Sequence, residues 1–126
     1  MKSIRILLVD DHVVIRKSFL LLLSKISHVH VIGECSDGIE VIPFLKKELI
    51  DVIFMDINMK FMDGLEATKL VKQHYPMVKV IGFSSEEDVF IIQKMKANGA
   101  DSFVSKFDAS KESIEAELEK VTSYLV

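Results

Sequence analysis

Asp10, Asp11 and Asp56 stand where two apolar runs end. Ile6-Leu7-Leu8-Val9 stops at the acidic pair, and Val52-Ile53-Phe54-Met55 stops at Asp56. If both runs are parallel strands of one sheet, their carboxyl ends share an edge and the three acids converge on one pocket. Two carboxylates about 5 Å apart repel by roughly 3 kcal/mol at an effective dielectric near 20. Such a pocket wants a cation, and its hard oxygen donors favour Mg²⁺ or a similar ion such as Mn²⁺.

The elements that must position these acids are legible as five alternating strand and helix patterns. Strands are predicted at 4–9, 29–35, 50–56, 78–84 and 101–105. Most are continuously apolar and rich in Val and Ile, as expected of strands buried on both faces of a parallel sheet. Helices are predicted at 12–26, 38–48, 64–75, 86–97 and 110–125. Asp63 and Ser110 can cap the third and fifth, Tyr75-Pro76 ends the third, and Asn98-Gly99 supplies a left-handed stop for the fourth. Pro43 lies inside the second helical span, which should therefore be bent or delayed. In the fifth, Ile114, Leu118, Val121 and Leu125 form one apolar stripe. Five successive βα units give a doubly wound α/β domain, whose ligand site belongs at the carboxyl ends of the strands where the winding reverses. The carboxylate trio falls there.

The whole chain sets further bounds. Its 126 residues, 49% apolar and 28% charged, suit one domain spanning 1–126 with a sizeable core. A formal net charge of −3 lacks the basic excess of a phosphate-backbone binder, so direct nucleic-acid binding is not expected. The single Cys35 excludes an internal disulfide and a thiolate metal site, and fits a reducing compartment. No apolar run approaches the roughly 20 residues needed to span a bilayer, and a cytoplasmic protein without membrane contact is expected. His12, His28, His30 and His74 are dispersed, none at a spacing that argues for metal ligation or phosphoryl relay, and surface or helix-end roles are expected.

The ordered pattern resembles the receiver domains of bacterial two-component response regulators. The resemblance rests on Asp10-Asp11 after the first strand, Met55-Asp56-Ile57-Asn58-Met59, Met62-Asp63-Gly64, Ser84 ending the fourth strand, Phe103 in the fifth, and Lys106 three residues later. It implies a flavodoxin-like (βα)5 fold with strand order 2-1-3-4-5. It also implies that Asp56 accepts a phosphoryl group from a sensor histidine kinase, with no catalysis beyond that self-phosphorylation and self-dephosphorylation. Asp10 and Asp11 would help hold Mg²⁺, one through water, with the backbone carbonyl of Asn58 as a further oxygen.

Each implied role has a physical case. A carboxylate attacks phosphorus without a base when a cation screens it from the incoming phosphate. Lys106 is a point charge that could compensate the acids and then grip phosphate. Ser84 offers a hydroxyl to a phosphoryl oxygen, and Phe103 a ring that could rotate into vacated volume, reshaping the face of the fourth helix, fifth strand and fifth helix. The residues alone also allow Ser84 simply to cap and Phe103 simply to pack. Asp11 is placed to cap the first helix as well.

Two positions depart from the family pattern. Lys60 and Phe107 stand where many receivers carry proline. A cis bond before Phe107 would cost about 2.5 to 4 kcal/mol, so the Lys106–Phe107 bond is expected to be trans or strained. Asp10-Asp11-His12 with Arg16, and the missing proline after Lys106, resemble receivers of the NarL/FixJ (LuxR-type) group, which precede a helix-turn-helix DNA-binding domain. No such output domain lies in this chain, which reads as a stand-alone receiver or as a fragment. Ile15, Phe19, Leu22 and Ile26 should share the buried face of the first helix, and Val89, Ile92 and Met95 that of the fourth. Leu20, Leu21 and Phe90 are left for contact with a partner, including a second copy of the chain on phosphorylation. A haloacid dehalogenase-like Mg²⁺ phosphohydrolase would want an aspartate where Asn58 stands, and a nucleotide binder would want a glycine-rich turn after the first strand.

Overall fold

The computed structural model describes residues 3–125. Five strands and five helices alternate: β1 (Ile4–Val9), α1 (Val13–Leu23), β2 (Val29–Cys35), α2 (Val41–Leu45), β3 (Val52–Met55), α3 (Gly64–His74), β4 (Lys79–Ser84), α4 (Val89–Ala97), β5 (Ser102–Ser105) and α5 (Lys111–Thr122). The strands form one parallel sheet in the order β2-β1-β3-β4-β5. This is the expected doubly wound, flavodoxin-like arrangement, with the winding reversing between β1 and β3.

Side chains alternate across a strand, so each apolar run feeds two cores at once. Ile6 and Leu8 of β1, with Val52 and Phe54 of β3, pack against Phe19 and Leu23 of α1 and Ile114 and Leu118 of α5. Leu7, Val9, Ile53 and Met55 point the other way, to Val41 of α2, Val71 of α3 and Met95 of α4. Burial on both faces is the reason that these strands read as unbroken apolar stretches. Cys35 closes β2 at 2% exposed, and burial pushes its thiol up to about 12. In α5, Ile114, Leu118 and Val121 are buried as expected, while the side chain of Leu125 lies outside the described residues.

The helix ends largely follow the expected chemistry. The Asp63 carboxylate accepts a hydrogen bond from the Glu66 amide at 2.9 Å, and Ser110 and Ser113 cap α5 reciprocally. Gly99 takes φ +114° after α4, a left-handed position that glycine occupies without a Cβ penalty. Pro43 delays its helix. A 3-10 turn over Gly38–Glu40 comes first and α2 starts at Val41, which puts Pro43 in the first turn, where its missing N–H has no intrahelical partner to lose. The helix then covers five residues, well short of the span 38–48.

Three details correct the expected helix faces. α1 begins at Val13 with His12 at its N-cap, and Asp11 does not cap it. Its buried residues are Phe19 and Leu23, which leaves Ile15 exposed and turns Leu20 against the core, with Leu21 alone of the leucine pair facing solvent. In α4, Asp88 accepts a hydrogen bond from the Phe90 amide and the helix starts late, so Val89, its first residue, stands 62% exposed at the open end, while Met95 is buried and Phe90 is exposed.

Candidate functional site

Strand register brings the acids together. Val9 pairs with Met55 across β1 and β3, so Asp10 and Asp56 leave neighbouring strands at the same level, and the Asp56 amide donates to the Val9 carbonyl at 2.9 Å. Ser84 pairs with Ser105 across β4 and β5, which delivers Lys106 one step beyond the same sheet edge. Gly64 fixes the far side. Its amide donates to the Ile57 carbonyl at 2.7 Å, and a Cβ there would collide with the backbone of Asp56. Only glycine lets α3 start this close to the acid.

Asp10 and Asp56 are 4% and 3% exposed, a setting in which an ionised carboxylate requires partners. Lys106 Nζ lies 2.6 Å from Asp10 Oδ2 and 3.5 Å from Asp56 Oδ1, and 5.6 Å from the centre of the Phe83 ring. Its approach to Asp10 Oδ2 is off the hydrogen-bonding direction, so this buried oxygen is charge-paired yet has no hydrogen-bond partner. Asp56 Oδ1 accepts from the Ile57 amide at 2.9 Å. Burial pushes the Asp56 carboxyl above its ordinary value; Lys106 works against the shift and Asp10 adds to it.

His12 is exposed at a helix end, as expected of the histidines, but it also joins this cluster, which its spacing did not announce. Its Nδ1 lies 3.0 Å from Asp11 Oδ1, 3.3 Å from Asp10 Oδ1 and 3.9 Å from Asp56 Oδ2. Among the described residues, Asp10, Asp11, His12 and Asp56 each offer a ligand atom, all within 4.8 Å of one another. Three carboxylates against one lysine, two of them buried, fit a divalent cation. The available signal was position: His12 directly follows the acidic pair, where the chain turns into α1.

Other residues hold the edge in shape. Arg16 Nη1 donates to the Asp10 carbonyl at 2.5 Å while its Nε meets Glu34 Oε1 at 2.9 Å. The Glu34 carboxyl, although its burial works the other way, is held below its ordinary value by hydrogen bonds from Lys17 and Arg16. Asp37, which follows β2, accepts from the amides of Phe61 and Met62, each at 2.9 Å, and of Ile39 at 3.0 Å. It thereby pins the β3–α3 loop that carries Asn58. Sequence reasoning missed the role of Asp37, because two of its amide partners, Phe61 and Met62, lie more than twenty residues away.

Ser84 is 1% exposed, and its Oγ accepts from the Glu86 amide at 3.1 Å. Phe103 is half-buried against the second core, its ring lying directly on Gly82. Asn58 and Lys60 are exposed, and Lys60 Nζ sits 5.3 Å from the Phe61 ring centre. The Lys106–Phe107 bond is trans, and Ser105 Oγ accepts from the Phe107 amide at 3.2 Å to start a 3-10 turn. Lys106 therefore reaches the acids without a cis bond.

Residues 6–119 match the family model of the response regulator receiver domain. The chain belongs to that family. Over 115 residues this receiver is 36% identical to the response regulator protein VraR of Staphylococcus aureus, a match covering 90% of the chain and 54% of VraR. The chain thus spans about half the length of the curated relatives it matches. The signal receiver domain of NarL from Mycobacterium tuberculosis superposes with a TM-score of 0.87 at 28% identity, covering 97% of this chain and 98% of that one. The isolated REC domain of RcsB from Salmonella enterica serovar Typhimurium, solved in the presence of the phosphomimetic BeF₃⁻, gives 0.85 at 25% identity, covering 94% and 90%. These relatives agree with the NarL/FixJ-type resemblance of the receiver. No helix among the described residues is long and apolar enough to cross a membrane.

Proposed function

We propose that this receiver is a cytoplasmic phosphoacceptor module: it takes a phosphoryl group from a sensor histidine kinase onto Asp56 and switches an interaction surface in response. The observation that carries the reading is Asp56 itself, 3% exposed in a cluster fit for a divalent cation, with an ammonium 3.5 Å from its oxygen. Asp10, Asp11, Asp56 and the carbonyl of Asn58 would hold Mg²⁺, or Mn²⁺ in its place. The ion supplies charge neutralisation between acceptor and incoming phosphate. A carboxylate oxygen of Asp56 attacks phosphorus, the P–N bond to the donor histidine breaks, and the imidazole leaves with the bonding pair. Lys106 then exchanges its hold on the acids for one on the phosphoryl oxygens, and hydrolysis later restores the carboxylate.

Phosphorylation adds charge within reach of β4. Ser84 would give up the Glu86 amide and donate to the phosphoryl group, and Phe103 would move off Gly82 into the space released. The resulting change on the α4–β5–α5 face would reach a DNA-binding domain in a longer parent chain, as the twofold length of VraR suggests. Phe90, 81% exposed on α4, is placed for self-association on phosphorylation. Incubation with acetyl phosphate and Mg²⁺ followed by intact-mass analysis tests the acceptor. The parent should gain one phosphoryl group and Asp56→Asn none; equal labelling of both defeats the assignment.

A further inference from the structure

His12 is the one donor in the acidic cluster that is not a carboxylate, and its ring nitrogen faces all three acids. An octahedral ion with bonds of about 2.1 Å sets adjacent donors about 3.0 Å apart and opposite donors about 4.2 Å apart. The separations from Nδ1 to Asp11, Asp10 and Asp56, at 3.0, 3.3 and 3.9 Å, fall within that range, the two shortest near an edge. The backbone that carries the ring is also fixed. His12 occupies the N-cap of α1, and its amide donates to Asp10 Oδ1 at 2.8 Å, so the side chain starts from a fixed point beside the acids. The ring also meets a buried acid: Asp10, 4% exposed, turns Oδ1 to Nδ1, while its Oδ2 is charge-paired with Lys106 at 2.6 Å.

We infer that His12 is a nitrogen ligand of the receiver's metal centre, and that it turns an all-oxygen pocket into a mixed one that favours first-row transition-metal ions over Mg²⁺. The inference rests on the metal centre of the proposed function and deepens it. Mg²⁺ prefers oxygen and retains water, so it gains little from imidazole. Mn²⁺, Co²⁺ and Ni²⁺ bind imidazole progressively better along the Irving–Williams order. A histidine merely ion-paired with its neighbours would produce no such selectivity.

Calorimetric titrations of the parent, His12→Ala and His30→Ala with Mg²⁺, Mn²⁺ and Ni²⁺ separate the two. His12→Ala should weaken Ni²⁺ binding by about tenfold or more while Mg²⁺ binding changes less than about twofold. His30→Ala, at another exposed histidine, should leave both unchanged. Pulsed electron paramagnetic resonance of the Mn²⁺-loaded parent should show a nitrogen coupling that His12→Ala abolishes. An unchanged Ni²⁺-to-Mg²⁺ ratio in His12→Ala, or a parent spectrum without nitrogen coupling, overturns the inference. Acetyl phosphate labelling with Mg²⁺ on the same samples keeps the two readings apart: labelled Asp56 with no nitrogen coupling removes His12 alone, whereas no Mg²⁺ uptake and no labelling remove the underlying acceptor as well.

Discussion

Asp56 carries its charge against the preference of its surroundings. Burial raises its folded-state pKa, with Lys106 offsetting part of the shift and Asp10 adding to it. A carboxyl raised in this way binds its proton more tightly folded than unfolded. Its contribution to stability is greatest below the ordinary carboxylate value, about 4, and is lost as pH rises through the folded value. Asp56→Asn, similar in shape and uncharged, should therefore melt at a higher temperature than the parent at neutral pH in chelator. The gap should close towards pH 4 and on adding Mg²⁺, and identical calorimetric melting curves throughout would speak against a strained acid. At this scale Asp10, Asp11 and Asp56 were legible because strand ends announce them, and Lys106 through the receiver resemblance. His12 was not, since a histidine beside aspartates suits a solvated turn equally well until the backbone direction into α1 is known.

Loops between elements carry the long-range ties that local pattern cannot reveal. Asp37 follows β2 and looks like the cap of a helix, which it is, accepting from the Ile39 amide. It also accepts from Phe61 and Met62, fastening one loop to another. These amide bonds hold the Asp37 carboxyl below its ordinary value although burial opposes them. Its support is thus present above the ordinary carboxylate range and lost as pH falls through the depressed folded value. Asp37→Ala should cost about 1 kcal/mol in denaturant unfolding by leaving three part-buried amides without their acceptor. It should also speed hydrogen exchange at Phe61 and Met62, and unchanged exchange there would mean that the loop stands without it. Helix cores were readable from apolar spacing, whereas α2 and α4 ended up shorter than expected. Pro43 and the Asp88 cap moved their starts, and a late start is what put Val89 in solvent.

For the whole molecule, the layered architecture was readable because short apolar runs such as Val52–Met55 alternate five times with helical patterns, as strands covered on both sides do. Partner surfaces were harder to read, since an exposed Leu21 or Phe90 has the same composition whether or not anything docks on it. One buried atom offers a way to watch the assembly breathe. The Cys35 sulfur is sealed beneath α2, and its thiol, pushed up to about 12 by burial, yields almost no thiolate at neutral pH. A thiol-reactive dye should accordingly react in a single slow phase, limited by separation of the helical layer from the sheet, and instant labelling of native protein would contradict the seal. Since no other cysteine competes for reagent, the chain comes with its own stopwatch, and any ligand that tightens the sheet edge can be timed by how long it makes that clock wait.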